Sequence, residues 1–261
     1  MRTEIILNLD LDIVCVCETH LIGNESISIN GYSSYCNNRL VKKGKRKRGS
    51  GGVAILVSNK LLSNFVVSRL DCLCDGLIGI RLMSRNVNQS ILVLSCYLPP
   101  EGSPWANTTL FFSNLTKQVY EMKEDDMIIL AGDFNARIGG NEDFIGTLDN
   151  VNPRVIIDTR TNSYGDILLD FLKDCKLCIC NGRITPESDN FTCSNSKGQS
   201  VVDYVITTQD NLTNCSKCVV YSVNYLIELF NLHCLLSTTC KPPDHAVISS
   251  KFHLKNRLVC S

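Results

Sequence analysis

No surplus of charge is available to this chain, whose 261 residues hold 26 Lys and Arg against 26 Asp and Glu. That balance excludes a field drawing the whole molecule onto nucleic acid or an anionic membrane, so polyanion binding has to come from a local patch. Long apolar runs are also missing, and none approaches the roughly 18 to 20 residues of a membrane span. Met1 to Leu9 lacks the basic start and apolar stretch of a secretory signal. The expectation is an intracellular protein with no membrane partner. Biased repeats are absent too, which excludes a low-complexity chain, and 44% apolar residues suffice for a sizeable core. A single domain spanning 1–261 is expected.

Cysteine is plentiful, at fifteen residues. Many lie in apolar runs such as Val14-Cys15-Val16-Cys17 and Leu177-Cys178-Ile179-Cys180, where Cys acts as a small hydrophobe. Cys175-x-x-Cys178 and Cys215-x-x-Cys218 have the look of two half zinc sites. The first pair, however, ends an apolar helical pattern beside Leu172 and Leu177, which favours core thiols.

Four segments read as buried strands: Ile13–Cys17, Gly52–Val57, Ile91–Tyr97 and Met127–Ala131. Each is an apolar, β-branched run closed by polar or Gly/Pro punctuation. Val201–Thr207 and Ala246–Phe252 add two more. Helical periodicity marks Asn107–Met122 and Tyr164–Lys173, the latter with Leu168, Leu169 and Leu172 on one stripe. The fold class is therefore α/β, with sheets flanked by helices. Two stretches break the rhythm. Residues 42–48 hold six basic side chains in seven, and 221–241 reads as an irregular stretch, a possible insertion.

Polar residues at the ends of buried strands are the informative ones, because the scaffold fixes them while the strand ends stay open to substrate. They are Glu18-Thr19-His20, Tyr97 before Leu98-Pro99-Pro100, Gly132-Asp133-Phe134-Asn135, Asp203-Tyr204 and Asp244-His245. Singly, each has a structural role open to it: a helix cap, a core tyrosine, a satisfied histidine. Taken together and in this order, they resemble the endonuclease/exonuclease/phosphatase family, and most closely the apurinic endonucleases and the endonuclease domains of LINE-type retrotransposons. The resemblance runs from about Asp12 to Phe252, with further matches at Gly51-Gly-Val-Ala-Ile55 and Asn181-Gly182.

The resemblance implies a two-sheet α/β sandwich with its site in a cleft at one edge of both sheets. It implies Mg²⁺, or Mn²⁺, as cofactor, with Glu18 as the metal carboxylate and Asp244 as a second group at the metal. Asp133 would orient and deprotonate the attacking water, and Asn135 would hydrogen-bond the transition state. His245, oriented by Asp203, and Tyr97 would contact phosphate oxygens. Family members begin with a strand carrying an Asn upstream of the metal Glu. Here 17 residues precede Glu18 and read as the tail of a helix followed by a turn, so a sandwich without that first strand is expected.

The leading function is a Mg²⁺-dependent DNA endonuclease. A phosphatase or phosphodiesterase on a small molecule or lipid headgroup, and a catalytically inactive nucleic-acid-binding or protein-binding remnant, are the alternatives. Lys42, Lys43, Lys45, Arg46, Lys47 and Arg48 could grip backbone phosphates, serve as a nuclear-import signal, or do neither. DNA is the expected partner, and no feature names a protein partner.

Overall fold

The computed structural model describes residues 2–39, 50–71, 74–86, 89–123, 126–235 and 243–254. In chain order the elements are α1 (Arg2–Leu9), β1 (Ile13–Cys17), β2 (Tyr32–Asn37), β3 (Val53–Ser58), α2 (Asn59–Leu62), β4 (Phe65–Arg69), β5 (Leu77–Ser84) and β6 (Ser90–Tyr97). Then come α3 (Thr108–Tyr120), β7 (Met127–Asp133), α4 (Ser163–Asp174), β8 (Leu177–Ile179), β9 (Cys193–Asn195), β10 (Gly198–Ser200), β11 (Asp203–Thr208), β12 (Cys215–Tyr221), α5 (Val223–Leu229) and β13 (Val247–Phe252).

A six-stranded sheet in the order β4-β5-β6-β7-β11-β8 forms the base, with β6 and β7 parallel and the other pairs antiparallel. One face carries α3 and α4. Their buried Phe111, Phe112, Leu115, Leu168 and Leu172 pack with Leu92, Leu94, Ile128 and Leu130 of the sheet. Asn side chains start both helices by accepting orphan N–H groups, Asn107 from Leu110 and Asn162 from Gly165. Replacing a fully buried Leu in this layer by Ala would cost about 2–5 kcal/mol through lost transfer energy and the cavity left behind.

The opposite face carries a second layer in two pieces. A three-stranded sheet, β1-β3-β2, packs over β5, β6 and β7, and a two-stranded antiparallel sheet, β12-β13, has β13 over β11. The α/β sandwich with flanking helices is thus the observed architecture. Within it β1 pairs only with β3 and β13 only with β12 among the described residues, leaving one edge of each open. Every residue of β1 and of β13 except the exposed Lys251 is half-buried, whereas β3 is buried throughout. The reading of Ile13–Cys17 as fully covered is therefore corrected: an open edge admits solvent.

Two further readings change. Segment 221–241 is not irregular where it is described. Ser222 caps α5 by accepting from the Tyr225 N–H, and Val223, Leu226, Ile227 and Leu232 pack against Ile5 and Leu9 of α1; residues 236–242 lie outside the described residues. The strand expected over 201–207 begins at Asp203 instead. The Val201 and Val202 N–H groups are taken by side chains, Asp158 Oδ2 and Thr192 Oγ1, both at 3.0 Å, and so are lost to a ladder.

Candidate active site

Strand register assembles the site. Tyr97 pairs across the parallel β6–β7 ladder with Asp133, and Asp133 pairs across β7–β11 with Asp203, so three residues from distant motifs form one row on one face. Gly132 is required just before it. Its φ is +148°, and a Cβ there would lie 1.9 Å from the Cys96 carbonyl oxygen. His245 arrives from a different segment, held by a single bridge to Cys193 and by the Ala246 N–H donating to the Thr192 carbonyl. Its Nδ1 lies 2.9 Å and 3.1 Å from the two oxygens of Asp203. Thr192 closes the connection, because its Oγ1 also accepts from the Asp203 N–H at 3.0 Å.

Glu18 sits on the turn that leaves β1, with φ +53°, and accepts a 2.7 Å hydrogen bond from the Tyr97 hydroxyl at Oε1. Asn135, also left-handed at φ +48°, donates from its backbone N–H to Asp133 Oδ1 at 2.8 Å and from Nδ2 to Asp133 Oδ2 at 3.1 Å. A left-handed conformation costs a residue such as Glu on the order of 1–3 kcal/mol and is found preferentially at functional sites.

The electrostatics follow from burial and like charge. Asp133 is 5% exposed, and its carboxyl is pushed well above the usual range by burial and then by the neighbouring Asp203 carboxylate. His245 is raised to about 11, first by its bond to Asp203 and then by Cys193, which makes it a cation at neutral pH. The Tyr97 phenol is raised by burial and by its bond to Glu18, so it remains a donor.

One ligating atom each from Asp133, Asp203 and His245 lie within 4.8 Å of one another, the one such group of three or more among the described residues. Cys175, Cys178, Cys215 and Cys218 do not meet in that way; Cys215 and Cys218 instead pack with Cys180 in a small apolar cluster. Clustered carboxylate oxygens, with Asp133 destabilised as an anion by its neighbours, suit a hard divalent cation, whose charge would relieve that repulsion. Glu18 stands outside this tightest group yet close enough for its charge to act on Asp133. Asp244 enters the structure here through its backbone, its carbonyl accepting from the Ser194 N–H at 2.8 Å, and its carboxylate is not among the converging ligands. Lys42, Lys43, Lys45, Arg46, Lys47 and Arg48 lie outside the described residues.

Sequence reasoning missed Thr192 and Arg39, and assigned no task to Asn181. Asn181 braces Asp203 from behind, donating to its carbonyl at 3.0 Å and accepting from the Val205 N–H at 2.9 Å. Arg39, with its side chain 5% exposed, lies near enough to Tyr97 for its charge to oppose the rise of the phenol. No helix among the described residues is long and apolar enough to cross a membrane.

The profile of the endonuclease/exonuclease/phosphatase family matches residues 3–225. Craniofacial development protein 2 of Tragulus javanicus is 22% identical over 205 residues, covering 77% of this chain and 33% of that protein. The chain thus spans about a third of the length of the curated relatives it matches. Among solved structures, the AP endonuclease LMAP from Leishmania major has a TM-score of 0.64 at 12% identity, covering 96% of this chain and 81% of its own. The 3' phosphatase NExo from Neisseria, bound to a product DNA hairpin, has a TM-score of 0.59 at 16% identity, covering 97% and 93%. At these identities the likeness is one of fold.

Proposed function

The chain belongs to the endonuclease/exonuclease/phosphatase family, and on that premise we propose that it is a DNA endonuclease of apurinic or retrotransposon type, dependent on Mg²⁺ or Mn²⁺. The observation that carries this reading is the row Tyr97–Asp133–Asp203 with His245 held on Asp203. An anionic phosphodiester needs an oriented water, a base for its proton and cations where charge develops. Those needs match a buried carboxylate with raised proton affinity beside an imidazolium.

Glu18 would hold the ion, with Asp133 and Asp203 facing the same space, and the ion's chemistry would be to neutralise the phosphate and the charge building on the leaving oxygen. Asp133, its oxygens fixed by Asn135, takes the proton of the attacking water as the new oxygen–phosphorus bond forms and the bond to the leaving oxygen breaks. His245, kept cationic and fixed in orientation by Asp203, donates toward a non-bridging phosphate oxygen from the ring nitrogen that does not face Asp203. Tyr97 orders Glu18 in the structure as it stands and can turn its hydroxyl to the phosphate once a ligand competes for it.

The test is nicking of supercoiled plasmid, intact or carrying abasic sites, with Mg²⁺ or with chelator. Cleavage that requires the metal supports the proposal. Hydrolysis of a small phosphomonoester or an inositol phosphate with the plasmid left intact would shift the reading to a phosphatase. Binding of DNA without cleavage would shift it to an inactive binding domain.

The basic segment is proposed to add backbone contacts. Replacing its six Lys and Arg residues by Ser is expected to weaken DNA binding and to flatten the plot of log affinity against log salt by roughly 0.9 for each phosphate no longer neutralised. An unchanged slope, measured by fluorescence anisotropy, would remove phosphate binding from its roles.

A further inference from the structure

Eight buried side-chain polar atoms have no hydrogen-bond partner among the described residues, and four of them fall in two short stretches: Thr19 Oγ1, His20 Nδ1, Asn38 Oδ1 and Arg39 Nη2. Those stretches meet at one place. The Thr19 and His20 N–H groups donate to the carbonyls of Gly52 and Gly51, at 3.2 Å and 2.9 Å. The Arg39 guanidinium lies flat against Gly51, where a Cβ would sit 2.8 Å from its Cζ and Nη1, and Thr19 Oγ1 approaches Gly52 as closely as 2.5 Å to a built Cβ. Unpaired buried polar atoms are rare in folded proteins, each costing on the order of 1–3 kcal/mol. Of these four, Arg39 Nη2, Thr19 Oγ1 and His20 Nδ1 can donate to an anionic ligand, whereas Asn38 Oδ1 only accepts and its Nδ2 already donates to the Gly23 and Glu25 carbonyls.

Arg39 fixes the charge of that ligand. Its side chain is 5% exposed, and among the described residues its one ion pair is Nε to Asp75 Oδ2 at 3.3 Å, with Asp75 itself half exposed. The guanidinium is shelved on the Trp105 ring, 4.9 Å from its centroid, in the loop that follows Tyr97. Stacking holds the plane of the fork and leaves Nη2 pointing to no acceptor of the described chain. Glu18, Asp133 and Asp203 make the neighbouring centre anionic, and the buried Arg39 guanidinium keeps Nη2 without an acceptor among the described residues.

We propose that Arg39, with Thr19 and His20 beside it, forms a second phosphate site that receives a backbone phosphate flanking the one at Asp133 and His245. The proposal rests on the reading of the protein as a DNA hydrolase and deepens it: substrates must extend at least one nucleotide past the reacting bond. Trp105, partly exposed, holds the fork and offers a ring edge to the sugar or base beyond.

Binding of a fluorescein-labelled duplex oligonucleotide, measured in Ca²⁺ across a salt series, tests this together with plasmid nicking in Mg²⁺. Arg39→Ala is expected to weaken binding about tenfold and to lower the salt slope by about 0.9, the value for one neutralised phosphate. Arg39→Lys should keep the slope while losing part of the affinity, and Trp105→Ala should weaken binding a few-fold with the slope unchanged. Thermal melts of the three variants separate a missing phosphate grip from unfolding, and the slope retained by Arg39→Lys is an outcome that misfolding does not produce. If wild type nicks DNA and Arg39→Ala leaves both slope and affinity unchanged, the second site is wrong and the hydrolase reading stands. If wild type neither binds nor nicks DNA, the hydrolase reading fails and the second site falls with it.

Discussion

Asp133→Asn is expected to lower metal-dependent nicking by about a thousandfold while leaving the protein folded, because a positioned general base contributes about 10²–10⁴ in rate and an amide cannot take the proton. The shape of the side chain is kept, and the oxygen that accepts from the Asn135 N–H at 2.8 Å remains. The metal-free protein should also melt higher. Asp133 has a folded pKa raised by burial and by Asp203, so whatever stability its protonated form supports is present below the ordinary carboxyl range and is lost as pH rises through the elevated folded value. The amide removes that penalty, and the gain in melting temperature should be seen at neutral pH and vanish at pH about 3, below the reference carboxylate pKa. A rate within tenfold of wild type would sink the assignment of Asp133. A melting temperature that falls equally at both pH values would show that the carboxylate serves structure instead.

How much of the molecule was legible in its sequence depended on whether the signal was local. Ile91–Tyr97 and Met127–Ala131 stood out as continuous apolar runs, and they are the two parallel central strands, β6 and β7, with boundaries extended by one and two residues. The helix stripes at Leu168, Leu169 and Leu172 were read from spacing and are buried as expected. By contrast β2 carries Tyr-Ser-Ser-Tyr-Cys-Asn, and β5 interrupts its apolar run with Gly79 and Arg81, so neither gave a clean period. Their strand character comes from partners far along the chain.

The site divides the same way. Glu18, Tyr97, Asp133, Asn135, Asp203 and His245 stood out by type, by position after strands and by order. That Tyr97, Asp133 and Asp203 share one row depends on register, which no local pattern encodes. Thr192 was invisible because its task is to accept two backbone N–H groups brought to it by tertiary folding. Arg39 was hidden for a related reason. It sits three residues before a run of six cations that draws the eye, and its burial against Gly51 and Trp105 can be seen only in three dimensions.

The open edges of β1 and β13 lead to the other large effect. In the base sheet β6, β7 and β11 are consecutive; β1 packs over β6 and β7, and β13 packs over β11. The two free edges therefore border one gap in the second layer, and a single extended strand laid there could pair with both, converting a three-stranded and a two-stranded sheet into one continuous sheet. Unpaired edges of this kind lower stability and invite association between chains. A strand of five or six residues joined ahead of Met1 by a flexible turn should add several ladder hydrogen bonds at about 0.5–1.5 kcal/mol each and two or three buried side chains at about 1.5–3 kcal/mol each. Ordering the added residues costs about 1–2 kcal/mol apiece, which leaves a net gain of a few kcal/mol. The expected result is a rise in melting temperature of about 5–10 °C, less self-association, and slowed amide exchange confined to β1 and β13. With an Asn placed level with Glu18, nicking should rise as well, about tenfold. Adding Asp133→Asn to the same chain should remove the gain in rate and keep the gain in stability, since the two arise from different atoms. A version with Pro at alternate positions of the added strand, whose N–H groups all point to one side and are thereby lost to one of the two ladders, is the control. Equal melting temperatures and equal exchange rates for the two versions would mean that the gap does not accept a strand.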